Sequence, residues 1–223
     1  MLRDNYFYII PFYDMRRNRH IVDDGSRLPL VEKFYSIQGE GFHTGEAAFF
    51  IRLGGCDVGC NWCDSRFSWN QDDFPLVDTS AIIEYAVSSG TKCVVVTGGE
   101  PLMWNLDLLC SGLRKNNLKT FLETSGTFPV SGDWHWICLS PKKKLRPLAP
   151  IYRKADELKV IVEEPDDLKW ADSCRKKVRE RCLLYLQPEW SRFDSIIPEI
   201  VNYVKGNPEW KISLQVHKYM HIP

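Results

Sequence analysis

No stretch of the sequence approaches the roughly 18 consecutive apolar residues that span a membrane. Residues 1–29 mix aromatics with charge and contain no small-residue cleavage site, so a signal peptide is not expected. Internal repeats and low-complexity linkers are absent. So is net charge: 29 basic and 29 acidic side chains cancel, leaving no global field to draw in nucleic acid or an anionic membrane. Neither is expected as a partner, and recognition has to be local. A disulfide framework is missing too. The eight cysteines stand at 56, 60, 63, 93, 110, 138, 174 and 182, and the last five lie scattered in apolar or helical stretches, where a free thiol behaves as a small hydrophobe. A chain of 223 residues needs no covalent staples. A reducing, cytoplasmic setting is expected, and the length suits one domain.

What the sequence does hold begins with Cys56-Asp57-Val58-Gly59-Cys60-Asn61-Trp62-Cys63, placed directly after an apolar run at 47–53 and Gly54-Gly55. Three thiolates on one short loop can face a common metal. Soft sulfur donors select zinc, copper or iron–sulfur clusters. A closed structural zinc site wants four ligands, and no fourth cysteine or histidine lies near. Cysteine spacing is informative without being unique, so a zinc fragment or three metal-free thiols stay open on the triad alone. A second motif narrows the choice. Gly98-Gly99-Glu100-Pro101 follows Cys93-Val94-Val95-Val96-Thr97, which reads as a buried strand delivering glycine backbone to a ligand. The two motifs in this order resemble the radical S-adenosylmethionine (SAM) superfamily. That resemblance implies a [4Fe-4S] cluster held by Cys56, Cys60 and Cys63, whose fourth iron chelates SAM, with Gly99 and Glu100 at the cofactor's amino group.

The rest of the chain alternates strands with helices, after an expected amino-terminal extension over 1–30 that includes an edge strand at 6–12 and a turn at Asp23-Asp24-Gly25-Ser26. Strands are expected at 31–37, 47–53, 93–96, 119–124, 136–140, 158–162, 182–186 and 211–216. Helices are expected at 79–88, 106–115, 166–178 and 193–204. The first is read as capped by Thr79-Ser80, with Ile82, Ile83, Ala86 and Val87 on its buried face. Such alternation argues for an α/β fold with a mainly parallel sheet. The superfamily resemblance implies an open, partial β/α barrel over 31–223, with its site at the carboxyl ends of the strands. Gln38, Arg52, Glu100, Glu123, Ser140, Gln187 and His217 each fall at or near the end of an expected strand. A core would not place charge so regularly, because a buried charge without a partner costs several kcal/mol.

Within the superfamily, Ser36-Ile37-Gln38-Gly39-Glu40-Gly41 ahead of the triad, then Cys63-Asp64-Ser65, Glu123-Thr124-Ser125-Gly126, Ser140-Pro141-Lys142, Leu186-Gln187-Pro188 and Gln215-Val216-His217-Lys218 resemble the 7-carboxy-7-deazaguanine synthase family. The resemblance implies conversion of 6-carboxy-5,6,7,8-tetrahydropterin to 7-carboxy-7-deazaguanine with loss of ammonia, in 7-deazapurine (queuosine-type) biosynthesis. It implies that a 5′-deoxyadenosyl radical takes hydrogen from the pterin and later returns it. Substrate contacts are expected from Ile37, Gln38, Gly39, Glu40, Arg52, Thr97, Glu123, His217 and the terminal Pro223. SAM contacts are expected from Gly99, Glu100, Ser140, Pro141, Lys142, Gln187, Pro188, Glu189 and Trp190, and a magnesium contact from Ser65. Many relatives would carry threonine in place of Ser65; serine keeps the oxygen that magnesium prefers. The chemistry of the side chains agrees with these roles, since Arg52 can pair with a carboxylate and Glu123 can accept from ring N–H groups. A homodimer and an electron donor such as flavodoxin or ferredoxin are implied as partners.

Blander readings compete. A lone histidine in an apolar strand is usually a satisfied core residue, and only the surrounding match lifts His217. The run Lys142-Lys143-Lys144-Leu145-Arg146 is short enough to be a solvated loop. The nearest enzymatic rival is a small activase for a glycyl radical enzyme, which would not need Gln38 to Gly41. A zinc-binding interaction module would leave Gly98 to Pro101 unexplained.

Overall fold

The computed structural model describes residues 24–223. The edge strand expected at 6–12 lies outside the described residues. Within them one sheet has the strand order β3-β1-β2-β4-β5-β6-β7-β8-β9. The strands are β1 Arg27–Ile37, β2 Ala47–Leu53, β3 Leu76–Asp78, β4 Cys93–Gly98, β5 Lys119–Thr124, β6 Trp136–Leu139, β7 Glu157–Val162, β8 Leu183–Pro188 and β9 Trp210–Ile212. From β2 through β4 to β9 every neighbouring pair is parallel. β1 runs antiparallel to both β2 and β3. The two edges, β3 and β9, do not pair with each other, so the sheet is open. β1 starts ahead of residue 31 because Arg27, Leu28 and Pro29 pair with the short strand β3, which the alternation had not signalled.

Residue parity divides the sheet into two faces. Outward residues such as Ile51, Val94, Val96, Leu122, Leu158, Val160 and Leu186 form the main core with the helices. These include α1 (Thr79–Ser88), α2 (Asp107–Lys115), α4 (Asp166–Arg175) and α5 (Phe193–Gly206); α3 (Ala149–Tyr152) is a single turn. On α1, Ile82 and Ala86 are buried one turn apart, whereas Val87, expected on the buried face, is exposed. Nor does Thr79 cap α1. Its hydroxyl donates to the Gly25 carbonyl at 2.6 Å, tying the helix to the start of β1. No helix among the described residues is long and apolar enough to cross a membrane.

The inner face is layered. Ala48, Phe50, Cys93, Val95 and Phe121 make a small apolar cluster, with Phe34 and Trp136 against it. One step further toward the carboxyl ends stand Arg52, Thr97 and Glu123 at the next inward positions. Two expectations about strand ends are corrected here. Ile37 pairs with Ala47, the first residue of β2, so Gln38 leaves β1 at the amino ends of the parallel strands. It reaches the site because the loop 38–46 crosses the inner face. There the Phe42 N–H donates to Glu157 Oε2 (3.1 Å), the Gly41 N–H donates to Ser213 Oγ (2.9 Å), and the Phe42 ring stacks on Trp136. The last strand also ends early, at Ile212. The Val216 N–H donates to the Gly39 carbonyl and finds no neighbouring strand, and residues Val216–Met220 form the short helix α6. His217 is therefore a helical residue packed on the crossing loop.

Candidate active site

A cavity of 520 Å³ opens at the carboxyl ends of the parallel strands, within the usual size of a cofactor or substrate site. All the residues singled out in the sequence line it except Glu100 and Pro141. Cys56, Cys60 and Cys63 are partly exposed on its wall, whereas the other five cysteines are buried. The loop that carries the triad is pinned at both ends. Gly55 and Cys56 donate to the carbonyls of Ser68 and Trp69 at 2.8 and 3.0 Å, and the Trp69 indole donates to Cys63 Sγ at 3.4 Å. Burial pushes the Cys56 thiol up to about 12 and raises Cys60 as well. These thiols need the charge of a metal to ionise, so cluster binding must release protons. Three sulfurs line one cavity wall with no fourth cysteine among the lining residues, which suits a cluster that keeps one iron open.

Beside the triad, Gly98 and Gly99 carry backbone where a side chain could not go. Gly98 has φ +145°, and a Cβ there would lie 2.1 Å from the Leu53 carbonyl oxygen. At Gly99 it would meet the Gly55 oxygen at 2.2 Å and the Cys56 Cβ at 2.8 Å. The Gly99 and Glu100 N–H groups donate to Leu53 and Gly55, stitching this turn to the cysteine loop. The Glu100 side chain does not line the cavity. It is 1 % exposed and accepts from Leu102 N (3.0 Å), Thr124 Oγ1 (2.6 Å), Ser125 N (2.8 Å) and the Ser125 hydroxyl. Its carboxylate is occupied behind the cavity wall, so it fastens the turn to β5 and any effect on the cofactor passes through Gly98 and Gly99. Burial raises its pKa, against the pull of those donors. Pro141 is likewise buried behind the wall, between Ser140 and Lys142, whose ammonium donates to the Ser140 carbonyl and hydroxyl at 2.9 and 2.5 Å. On the far side Gln187 accepts from Ser213 Oγ at 2.8 Å, and Glu189 is spent capping the turn Trp190–Arg192.

The opposite part of the cavity is charged. Lys159 Nζ donates to Glu40 Oε2 at 2.5 Å and to Glu123 Oε2 at 3.0 Å, and Gln38 reaches Glu123 Oε1 at 3.5 Å. Burial alone would push Glu40 up, yet the Lys159 ammonium and hydrogen bonds from Lys159 and Gln215 hold it down at about 2. Burial would likewise lower Lys159, but the surrounding carboxylates of Glu123, Glu40 and Glu157 keep it well above the usual lysine value. Arg52 pairs with Glu32 at 2.6 Å and points a second N–H at Ser65 Oγ, 3.4 Å away. Ser65 Oγ in turn donates to Asp64 Oδ1 at 3.0 Å. His217 lies against Gly39, where a Cβ would stand 2.2 Å from Nδ1; the glycine thus accommodates the imidazole. Burial lowers the His217 pKa, so the ring is neutral at neutral pH. The terminal residue comes in beside β1, with Ser36 Oγ donating to the Pro223 oxygen at 3.1 Å.

Sequence reasoning missed Lys159, Gln215, Thr124 and Ser125, all of which line the cavity. For Lys159 a signal existed: a lysine at an inward position of the otherwise apolar run Leu158-Lys159-Val160-Ile161-Val162. Gln215, Thr124 and Ser125 stand inside the stretches Gln215-Val216-His217-Lys218 and Glu123-Thr124-Ser125-Gly126 that carry the resemblance, and that was their signal.

An open, mainly parallel sheet with three cysteines and a glycine turn at its carboxyl ends defines a class, and the description "Radical SAM superfamily" matches the chain over residues 50–182. The chain is an enzyme of that superfamily. A 7-carboxy-7-deazaguanine synthase of Flavobacterium psychrophilum is 51% identical over 202 residues, covering 91% of this chain and 96% of the relative. One from Synechocystis is 43% identical, covering 87% and 93%. The crystal structure of QueE from Escherichia coli superposes with a TM-score of 0.74 at 28% identity, over 90% of this chain and 97% of that one. The chain belongs to the 7-carboxy-7-deazaguanine synthase family.

Proposed function

We propose that the chain converts 6-carboxy-5,6,7,8-tetrahydropterin to 7-carboxy-7-deazaguanine with loss of ammonia, serving queuosine-type 7-deazapurine biosynthesis in the cytoplasm. The observation that carries this reading is a single cavity in which the cysteine triad faces a floor of paired carboxylates and amides. The bound [4Fe-4S] cluster and SAM supply a hydrogen-abstracting radical. The chain's own groups do the rest. Cys56, Cys60 and Cys63 hold the cluster, and the Gly98-Gly99 backbone leaves room for the amino acid end of SAM. Glu40 and Glu123, both bound by Lys159, are acceptors suited to the guanidine-like N–H edge of a pterin. Gln38 and neutral His217 can each donate and accept at the ring. Arg52, fixed by Glu32, can pair with the substrate carboxylate, and the terminal Pro223 lines the same cavity. Ser65, with Asp64 beside it, offers hard oxygen donors to magnesium. A homodimer and a small electron-transfer protein complete the functional unit.

The test is anaerobic turnover of the reconstituted protein with SAM, magnesium, a reductant and 6-carboxytetrahydropterin, followed by mass spectrometry. 7-Carboxy-7-deazaguanine is the expected product, lost in Cys60→Ala. Production of 5′-deoxyadenosine without the deazapurine would leave the superfamily chemistry standing and remove the substrate.

A further inference from the structure

The cation at the centre of the charged floor has no role in the residues carried over from the family motifs. Lys159 stands in β7 between Leu158 and the apolar run Val160-Ile161-Val162, and its side chain is 4% exposed, yet it lines the cavity. Its one nitrogen binds a carboxylate from each of two elements that are far apart in sequence: Glu40 on the crossing loop and Glu123 at the end of β5. A carboxylate has about four lone-pair sites. The hydrogen bonds from Lys159, Gln215 and Gln38 leave each of these two with acceptor capacity, and both remain partly exposed to the cavity.

We propose that Lys159 is a positioning residue for substrate: it holds Glu40 and Glu123 side by side and ionised as the acceptor pair for the adjacent ring N–H and exocyclic amino donors of the pterin. The inference rests on the pterin reading of the site. Two partly buried carboxylates that share a site repel each other, and without a cation between them one is driven to take a proton. That proton would turn an acceptor into a donor facing the donor edge of the substrate. The other charged and titratable groups around Lys159 do not replace it. Glu157, two residues back on β7, adds negative charge; Cys138 on β6 is a buried neutral thiol; Lys142 after β6 is tied to Ser140; and His217 on α6 is neutral above pH 6.5.

The experiment is calorimetric titration of cluster-reconstituted, SAM-loaded protein with 7-carboxy-7-deazaguanine, a stable compound with the same donor edge, between pH 6.5 and 8. Wild type should bind with an affinity flat across this range. Lys159→Met should bind at least about tenfold more weakly, with a further loss approaching tenfold per pH unit on the acid side as one carboxylate takes up a proton. Lys159→Arg should restore much of the affinity and the flat profile, and SAM affinity should be unchanged in both. A Lys159→Met protein that binds the deazapurine as wild type does, or that loses SAM to the same extent, overturns the role of Lys159 while the pterin reading stands. Failure of wild type to bind the deazapurine removes the pterin reading and this inference together. Should Lys159→Met not fold, the wild-type profile decides, because a fall in affinity from pH 8 to 6.5 means the acceptor pair is not held ionised.

Discussion

The two sides of the cavity are made by different physics. On the cysteine side the turn Gly98-Gly99-Glu100 is fixed by backbone bonds to Leu53 and Gly55 and by neutral donors converging on one buried carboxylate. On the other side, positions are set by ion pairs between side chains that lie on a loop, β5 and β7. Backbone packing tolerates no added atom, since neither partner can move alone. An ion-paired floor tolerates changes of shape but not of charge. Substitutions should therefore fail for opposite reasons on the two sides.

The largest effect is expected at Gly99→Ala. The new methyl would press on the Gly55 oxygen and the Cys56 Cβ, both in the cysteine loop, and overpacking of this kind costs about 3 kcal/mol. Loss of SAM binding together with lowered iron content after reconstitution is the expected result. An alanine variant that keeps both would show that the loop can yield, and the contrast between the two sides would weaken.

Next comes Glu100→Gln, which keeps the shape and removes the charge. The amide offers one acceptor where the carboxylate offers two, and turns its NH₂ toward the Ser125 or Thr124 donors. A cost of about 2 kcal/mol follows from such mismatched buried groups, a fall of about 6 °C in Tm for a chain of this size. If SAM affinity falls while deazapurine affinity holds, the effect stays on its own side of the cavity.

The two carboxylates should also respond to pH with opposite sign. Glu40 is held below the ordinary glutamate value of 4.5, at about 2, so its contribution to stability is complete above pH 4.5 and is lost as pH falls toward 2. Glu100 is raised, so its ionisation costs stability as pH climbs from 4.5 through its folded value. Urea unfolding across pH 2.5 to 7 should show that Glu40→Gln flattens the acid limb, whereas Glu100→Gln lessens the loss on the rising side. Equal slopes in both variants would mean that the two environments do not differ as described.

Much of this division was legible in the sequence, and unevenly so. The triad, the glycine turn and strands such as Ala47–Leu53 and Lys119–Thr124 announce themselves through local spacing and burial. The charged floor does not, because Glu40, Glu123 and Lys159 come from three distant segments that only the sheet and the crossing loop bring together. The loop was hidden for the same reason: nothing local reveals that β1 runs against β2, so Gln38 was assigned to the wrong end of the sheet. Lys211 to Val216 reads as a strand with His217 at its end; what decides is the absence of a neighbouring strand past Ile212 to receive it. Glu100 was legible as part of its motif, but its burial and its bonds to Thr124 and Ser125 were not, since a motif fixes a position in the chain and packing fixes what the side chain touches.

The smallest effect tests whether burial, and not charge as such, gives the floor its weight. Arg175 and Glu209 pair at 3.1 Å, with side chains 45% and 40% exposed. Geometry alone would rank this pair beside Lys159 and Glu123 at 3.0 Å. Solvent screening and side-chain entropy remove most of its value, leaving about 0.5 kcal/mol or less. Glu209→Ala should therefore move Tm by no more than about 2 °C, and 0.5 M salt should erase even that difference. Lys159→Met should lose affinity for the deazapurine to nearly the same degree in low and high salt, because ions that screen the surface pair cannot reach a 4% exposed ammonium. A salt-sensitive defect at Lys159 would place it with the surface pairs, and the distinction between the two sides of the cavity would then rest on backbone packing alone.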